Sequence, residues 1–224
     1  MIFNREQGVV ADWWFEDRRR LVSPTSRAEL HQLLEMCQSG ALVLEEHDLL
    51  RPSKVIFAGW LRPNTDTDAI VRVEEPDVTV AIPKEIDSRG LLAYCEKTLD
   101  KLDQKRSFLY PINLYILGVG VVLDADGQER EQPDVTWLWG KTLDAHIVNV
   151  CTQSDAWLPY TLLAQPQPEV WKLNAPRLEA ALQEIQNRLG ILPYINSHSD
   201  HAVMDGFRLN NHTDIDDEVL QTYW

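Results

Sequence analysis

Residues 112–123 read Ile112-Asn113-Leu114-Tyr115-Ile116-Leu117-Gly118-Val119-Gly120-Val121-Val122-Leu123. This is the longest apolar strand the chain offers, and it is bounded by Asp124-Ala125-Asp126-Gly127, a hairpin turn signal. The turn predicts antiparallel pairing with a strand over 135–139, and a further strand is expected over 145–151. Gly118-Val119-Gly120 is not a nucleotide-binding fingerprint, because no third glycine follows and the run continues as strand. Asp124-Ala125-Asp126-Gly127 also resembles the start of a calcium loop, but the later ligands and closing Glu are missing.

Working outward, Thr25 or Ser26 can cap a first helix whose stripe is Leu30, Leu33, Leu34 and Cys37, with Gly40 as its end. Segments 41–45 and 54–61 read as strands, and Arg62-Pro63-Asn64-Thr65-Asp66 as a turn. Val71 and Val73, then Val78, Val80 and Ile82, alternate as half-buried strands do, with Glu75-Pro76-Asp77 between them. A second helix is predicted over 87–104, capped by Asp87 or Ser88, with Leu92, Cys95, Leu99 and Leu102 on one face. A third follows Asn174 as cap, with Pro176 in its first turn, the stripe Leu178, Leu182, Ile185 and Leu189, and Gly190 closing it. The connections are short. The expected fold class is therefore α+β: a mostly antiparallel sheet of about seven strands with three helices packed on it. The length of 224 residues favours one domain over 1–224, with 165–224 a candidate C-terminal subregion after the proline-rich stretch near Gln165.

Composition narrows the function classes. The formal net charge is −14, which argues against a basic nucleic-acid surface and against adhesion to anionic membrane. It suits a basic partner protein, whose encounter opposite fields would speed. Three well-separated cysteines, Cys37, Cys95 and Cys151, form neither a disulfide framework nor a Cys-x-x-Cys site. They point to a reducing, cytoplasmic-type compartment. No signal region follows Met1, and no run approaches a membrane span. Eight tryptophans are many for this length. The pairs Trp13-Trp14 and Trp137-x-Trp139 are expected to divide between the two sides of a strand, leaving some indole surface for a partner. The candidate contact residues are Trp13, Trp14, Glu45, Glu46 and Asp48, with the acidic C-terminal residues Asp214, Asp216 and Asp217. Thr213 or Asp214 is expected to cap a short terminal helix. The composition thus predicts a non-enzymatic acidic interaction module, in one concrete version an inhibitor or immunity-type protein covering a basic partner. No cofactor is expected.

One stretch offers chemistry. His201-Ala202-Val203-Met204-Asp205-Gly206-Phe207 places a histidine four residues before an aspartate and a turn-forming glycine. A carboxylate can hold an imidazole in the tautomer a general base needs. The run resembles the His-x-x-x-Asp-Gly signature of chloramphenicol acetyltransferases and related CoA- or carrier-dependent acyltransferases. That resemblance covers about seven residues and implies His201 as catalytic base and Asp205 as its structural support. It departs from the family at Asp200, where a second histidine is usual, and in the polar residues before it. His198, Asp200, His201, Asp205 and His212 also carry ligands suited to zinc or iron. Their surroundings, Asn196-Ser197-His198-Ser199-Asp200, read as a solvated loop, and no metal is expected.

Overall fold

The structure, a computed structural model, describes residues 9–18, 26–63, 70–106, 109–142, 144–195 and 199–222. Its centre is the long strand that the apolar run predicts. In chain order the strands are β1 (Ala11–Asp17), β2 (Arg51–Pro63), β3 (Ile70–Val73), β4 (Val78–Ala81), β5 (Tyr110–Leu123), β6 (Glu129–Pro133), β7 (Thr136–Thr142), β8 (His146–Thr152) and β9 (Tyr194–Ile195). These nine form one wholly antiparallel sheet ordered β3-β2-β5-β7-β8-β1-β9. The 13-residue β2 pairs with both β3 and β4 along one edge, and β5 pairs with both β6 and β7 along one edge. A separate hairpin joins β10 (Val203–Asp205) to β11 (Arg208–Asn210).

Three helices, α1 (Arg27–Glu46), α2 (Leu91–Arg106) and α3 (Pro168–Leu189), complete the α+β fold. Helix α1 lies on β7 and β8, and α2 and α3 pack against α1. One contiguous core fills the space between the layers. The sheet supplies Trp13, Phe15, Phe57, Leu114, Ile116, Leu138, Val148 and Val150, and the helices supply Leu33, Leu44, Cys95, Leu182 and Ile185. Each fully buried large apolar side chain contributes ~1.5–3 kcal/mol relative to leaving it in water.

Several local expectations change on this framework. The strand predicted over 41–45 is the last turn of α1, and Gly40 does not end that helix. A Cβ at Gly40 would sit 3.5 Å from Leu138, so the glycine lets α1 lie close on β7 and leaves Ala41, Val43 and Leu44 to continue the buried stripe. Ser26 caps α1, its hydroxyl accepting from the Ala28 amide at 3.2 Å, while Thr25 lies outside the described residues. The turn expected at 62–66 extends beyond them too. Helix α2 follows a single 3-10 turn at Ser88–Gly90, capped by Asp87 as predicted. The hairpin partner across Asp124–Gly127 is the exposed β6, with β7 taking the inner half of the same edge.

Helix α3 starts at Pro168, so Asn174 is inside it rather than at its cap. The buried Asn174 side chain brackets the end of β5. Its Oδ1 accepts from the Leu123 amide at 2.9 Å, and its Nδ2 donates to the carbonyls of Leu123 at 2.7 Å and Val170 at 2.8 Å. Arg177, one turn later, donates to the carbonyls of Val121 and His47. A mid-helix asparagine is thus held by a strand end whose polar groups would otherwise go unmet.

The path from α1 into β2 crosses β5 at Gly118 and Gly120. A Cβ on Gly118 would lie 2.0 Å from the Arg51 carbonyl oxygen, and one on Gly120 2.2 Å from that of Leu49. The crossing is sewn down by the Val121 amide donating to the Asp48 carbonyl at 2.7 Å and by the Thr136 hydroxyl donating to the Leu49 carbonyl at 2.7 Å. Because backbone, not a flexible side chain, occupies the space, Gly118→Ala is expected to cost about 3 kcal/mol, the upper end of overpacking penalties. Denaturant titration of the two proteins measures it, and a loss below about 1 kcal/mol contradicts the close crossing.

Helices α1 and α2 also meet through charge. The His31 Nδ1 lies 2.6 Å from Glu96 and its Nε2 3.3 Å from Glu35. The hydrogen bond to Glu96 is the main cause raising the His31 pKa above 6.5, against a smaller opposing effect of burial. A raised pKa makes the folded state bind the proton more tightly. The contribution is full below pH 6.5 and fades as pH rises through the folded value. His31→Ala is expected to flatten this part of the stability profile, read as Tm against pH on either side of neutrality.

Candidate interaction surface

Strand alternation decides which side chains leave the core. In β1, Ala11, Trp13 and Phe15 enter it, and Asp12, Trp14 and Glu16 point to the opposite face of the sheet. No described helix covers that face. Register places its side chains in rows. The central row runs Trp14, Asn149, Trp139, Tyr115, Ile56 across β1, β8, β7, β5 and β2. The row below runs Glu16, Ile147, Lys141, Asn113, Ala58 in the same strand order. Above, Asp12 pairs with Cys151, which pairs with Trp137, and Leu117 pairs with Lys54.

The middle of this face is aromatic. The Trp14 and Trp139 rings meet edge to face with centroids 5.8 Å apart. Trp139 stacks on Tyr115 at 6.2 Å with their planes 4° apart, and Tyr115 meets Trp137 at 6.0 Å. Trp14, Tyr115 and Trp139 remain half-buried. Polar groups tie the cluster down. The Trp139 indole donates to Asn113 Oδ1 at 3.0 Å, and Asp12 accepts from both the Trp14 indole and Asn149 Nδ2. In this cluster two buried polar atoms have no hydrogen-bond partner among the described residues: the Trp137 Nε1 donor, on a residue 7 % exposed, and the Asn149 Oδ1 acceptor, on one 2 % exposed. An orphaned buried group carries a desolvation cost of about 1–3 kcal/mol.

Of the contact residues expected from sequence, only Trp14 lies on this face. Trp13 is wholly buried, and its indole donates to the Gly206 carbonyl at 2.9 Å, anchoring the β10–β11 hairpin. Trp137 and Trp139 share one face instead of dividing, because residues two apart in a strand point the same way. Glu45, Glu46 and Asp48 sit at the α1 end on the helix side. Glu45 accepts from the Ser88 amide at 2.9 Å and Glu46 pairs with Arg188. Asp48 holds a left-handed turn with φ of 56°. Asp214 caps a tight turn and not a helix, its Oδ1 accepting from the amides of Asp216 and Glu218 at 2.9 Å each. Asp216 and Asp217 are exposed in that turn. Sequence reasoning missed Tyr115 and Asn149. Their strands are distant in sequence, and only the register joins them to Trp14.

The His201 region is built differently. Ser199 is its knot, accepting from the amides of His201 and Ala202 and donating to the Val10 carbonyl at 2.5 Å. The His212 Nε2 lies 2.8 Å from the Ser199 carbonyl. His201 is 8 % exposed. Asp205, by contrast, is exposed at the end of β10, where Gly206, with φ of 62°, and Phe207 form a two-residue turn to Arg208. No hydrogen bond or ion pair joins Asp205 to His201 among the described residues. The cavity beside the hairpin is lined by 207–210, not by either of them. His198 lies outside the described residues, and among those described no group of three metal-ligating side chains is arranged to hold an ion.

Compared with known families, curated proteins and solved structures, the chain matches none.

Burial lowers the His201 pKa below 6.5, with Asp200 opposing and His212 adding to the effect. The unfolded chain then takes up the proton first. The stability due to neutral His201 is full above pH 6.5 and is lost as pH falls through the folded value, the reverse of His31. Proton NMR titration of the histidine rings is expected to place His201 below and His31 above the ordinary value. The opposite order would contradict both environments.

Proposed function

We propose that this protein is a non-catalytic interaction module, an inhibitor or immunity-type protein that binds a basic partner protein through the open face of its sheet. The observation that carries this reading is the cluster of Trp14, Trp139, Tyr115 and Trp137 on a sheet face that no described helix covers. Large rigid aromatics supply contact area at small entropic cost and dominate the centres of interfaces. Asp12 and Glu16 form an acidic strip beside Trp14. The net charge of −14 would steer a basic partner in. Three buried free cysteines suit a reducing compartment, and the cytoplasm is the proposed location. Among the described residues no helix is long and apolar enough to cross a membrane.

The acyltransferase alternative assigns His201 as base and Asp205 as its support. It needs Asp205 to support the imidazole, whereas Asp205 is exposed at the end of β10 and the cavity beside the hairpin is lined by 207–210.

The test is quantitative capture from native lysate at low and moderate salt with wild type, the Trp14→Ala/Trp139→Ala double variant and Glu46→Ala as a surface control. The expected result is a stoichiometric basic protein whose affinity falls with salt and at least about tenfold in the double variant, with the control unchanged. A partner retained by the double variant, an acidic partner, or none at either salt overturns the reading. Acyl-donor turnover that disappears in His201→Ala would favour the alternative.

A further inference from the structure

A cavity of about 320 Å³ lies between α3 and the β10–β11 hairpin, away from the open face of the sheet. Its volume is at the lower end of small-molecule sites, which span ~300–1,000 Å³. Trp157, fully buried, lines it together with Leu178 and Leu209. Trp171 of α3 and Phe207 of the hairpin turn add two further rings. Such walls suit one flat ring system.

Two polar features share this apolar cup. Lys172 and Pro176 are one helical turn apart and both line it. Proline has no amide hydrogen, so the Lys172 carbonyl lacks its usual helical donor. Arg208 stands at the other side. Glu179 engages its Nε at 3.1 Å, and the two terminal nitrogens stay available to a ligand. Lys172 pairs with Glu169 at 3.1 Å and Arg208 with Glu179, so each cation at the cavity has a carboxylate partner, and the terminal nitrogens of Arg208 are the donors left for a ligand.

We propose that this cavity binds a compact aromatic carboxylate bearing a ring N–H: the ring between Trp171 and Phe207 above Trp157, the N–H donating to the Lys172 carbonyl, and the carboxylate accepting from Arg208. The site is independent of the partner-binding face. A ligand there bridges α3 and the hairpin that Trp13 anchors.

Calorimetric titration of the full chain with four probes tests this: indole-3-acetate, naphthalene-1-acetate, indole and tryptamine. Indole-3-acetate is expected to bind saturably and at least about tenfold tighter than tryptamine, which reverses the charge. Naphthalene-1-acetate, which lacks the N–H, falls between. Arg208→Gln is expected to weaken indole-3-acetate about tenfold and leave indole unchanged. Ala175→Phe, which fills the cup from α3, removes both. Amide and indole NMR shifts in the wild type, concentrated at Trp171 and 207–210, locate the site without relying on any variant. No saturable binding, shifts elsewhere, or tryptamine binding as tightly as indole-3-acetate overturns the proposal.

Discussion

The backbone crossing of β5 by residues 48–52 is the contact on which the rest of the architecture depends. Helix α1 can descend onto the sheet and enter β2 only because Gly118 and Gly120 present no Cβ to the Arg51 and Leu49 carbonyls. The same few residues then gather the other layers. Asp48 and Leu49 bond to Val121 and Thr136, Arg177 reaches the carbonyls of His47 and Val121, and Asn174 closes the end of β5. The end of one helix, the centre of another and the longest strand meet at one place. Their polar groups satisfy each other there, as buried backbone must be satisfied. With α1 fixed in this way, α2 and α3 find their apolar partner on it. All three helices stand on one side, and the aromatic side of the sheet is left bare.

That one-sidedness was partly legible. The apolar run at 112–123, its turn and the alternation of 71–82 are short-range signals, and the antiparallel α+β class follows from them. The stripes of α1 and α2 are equally local. What failed depends on partners far along the chain. Gly40 reads as a terminator until Leu138 and Val148 are placed beneath it. Asn174 reads as a cap until Leu123 is known to need both a donor and an acceptor. Strand β1 does not announce itself, since seven residues holding three acids and two adjacent indoles carry no clear period. It becomes a strand by pairing with β8.

The candidate site shows the same division. Abundant tryptophan and high acidity are compositional and were readable. Their assignment to one surface was not, because Trp14 and Trp139 sit more than a hundred positions apart and are brought into ring contact by the pairing of both their strands with β8. The acids singled out from sequence are largely engaged in structure. Glu45 receives a backbone amide, Glu46 an arginine, and Asp214 two amides of its own turn. Charge density along the chain is a poor guide to a binding surface for this reason. A carboxylate is as useful to a helix end or a turn as to a partner.

The three thiols give the molecule an internal clock. Burial pushes all of them away from the thiolate form, Cys95 to about 12 and Cys37 further still, with Cys151 also well above its ordinary value. An alkylating reagent therefore reacts only when the chain opens. Cys37 is sealed between α1 and β7 and Cys95 within α2, so their labelling follows separation of the layers. Cys151 lies on the other side, sheltered beside Trp137 and Asp12. Its modification follows the parting of side chains alone. The ratio of the two kinds of labelling separates breathing of the aromatic face from unfolding of the protein, with no probe added to the native sequence.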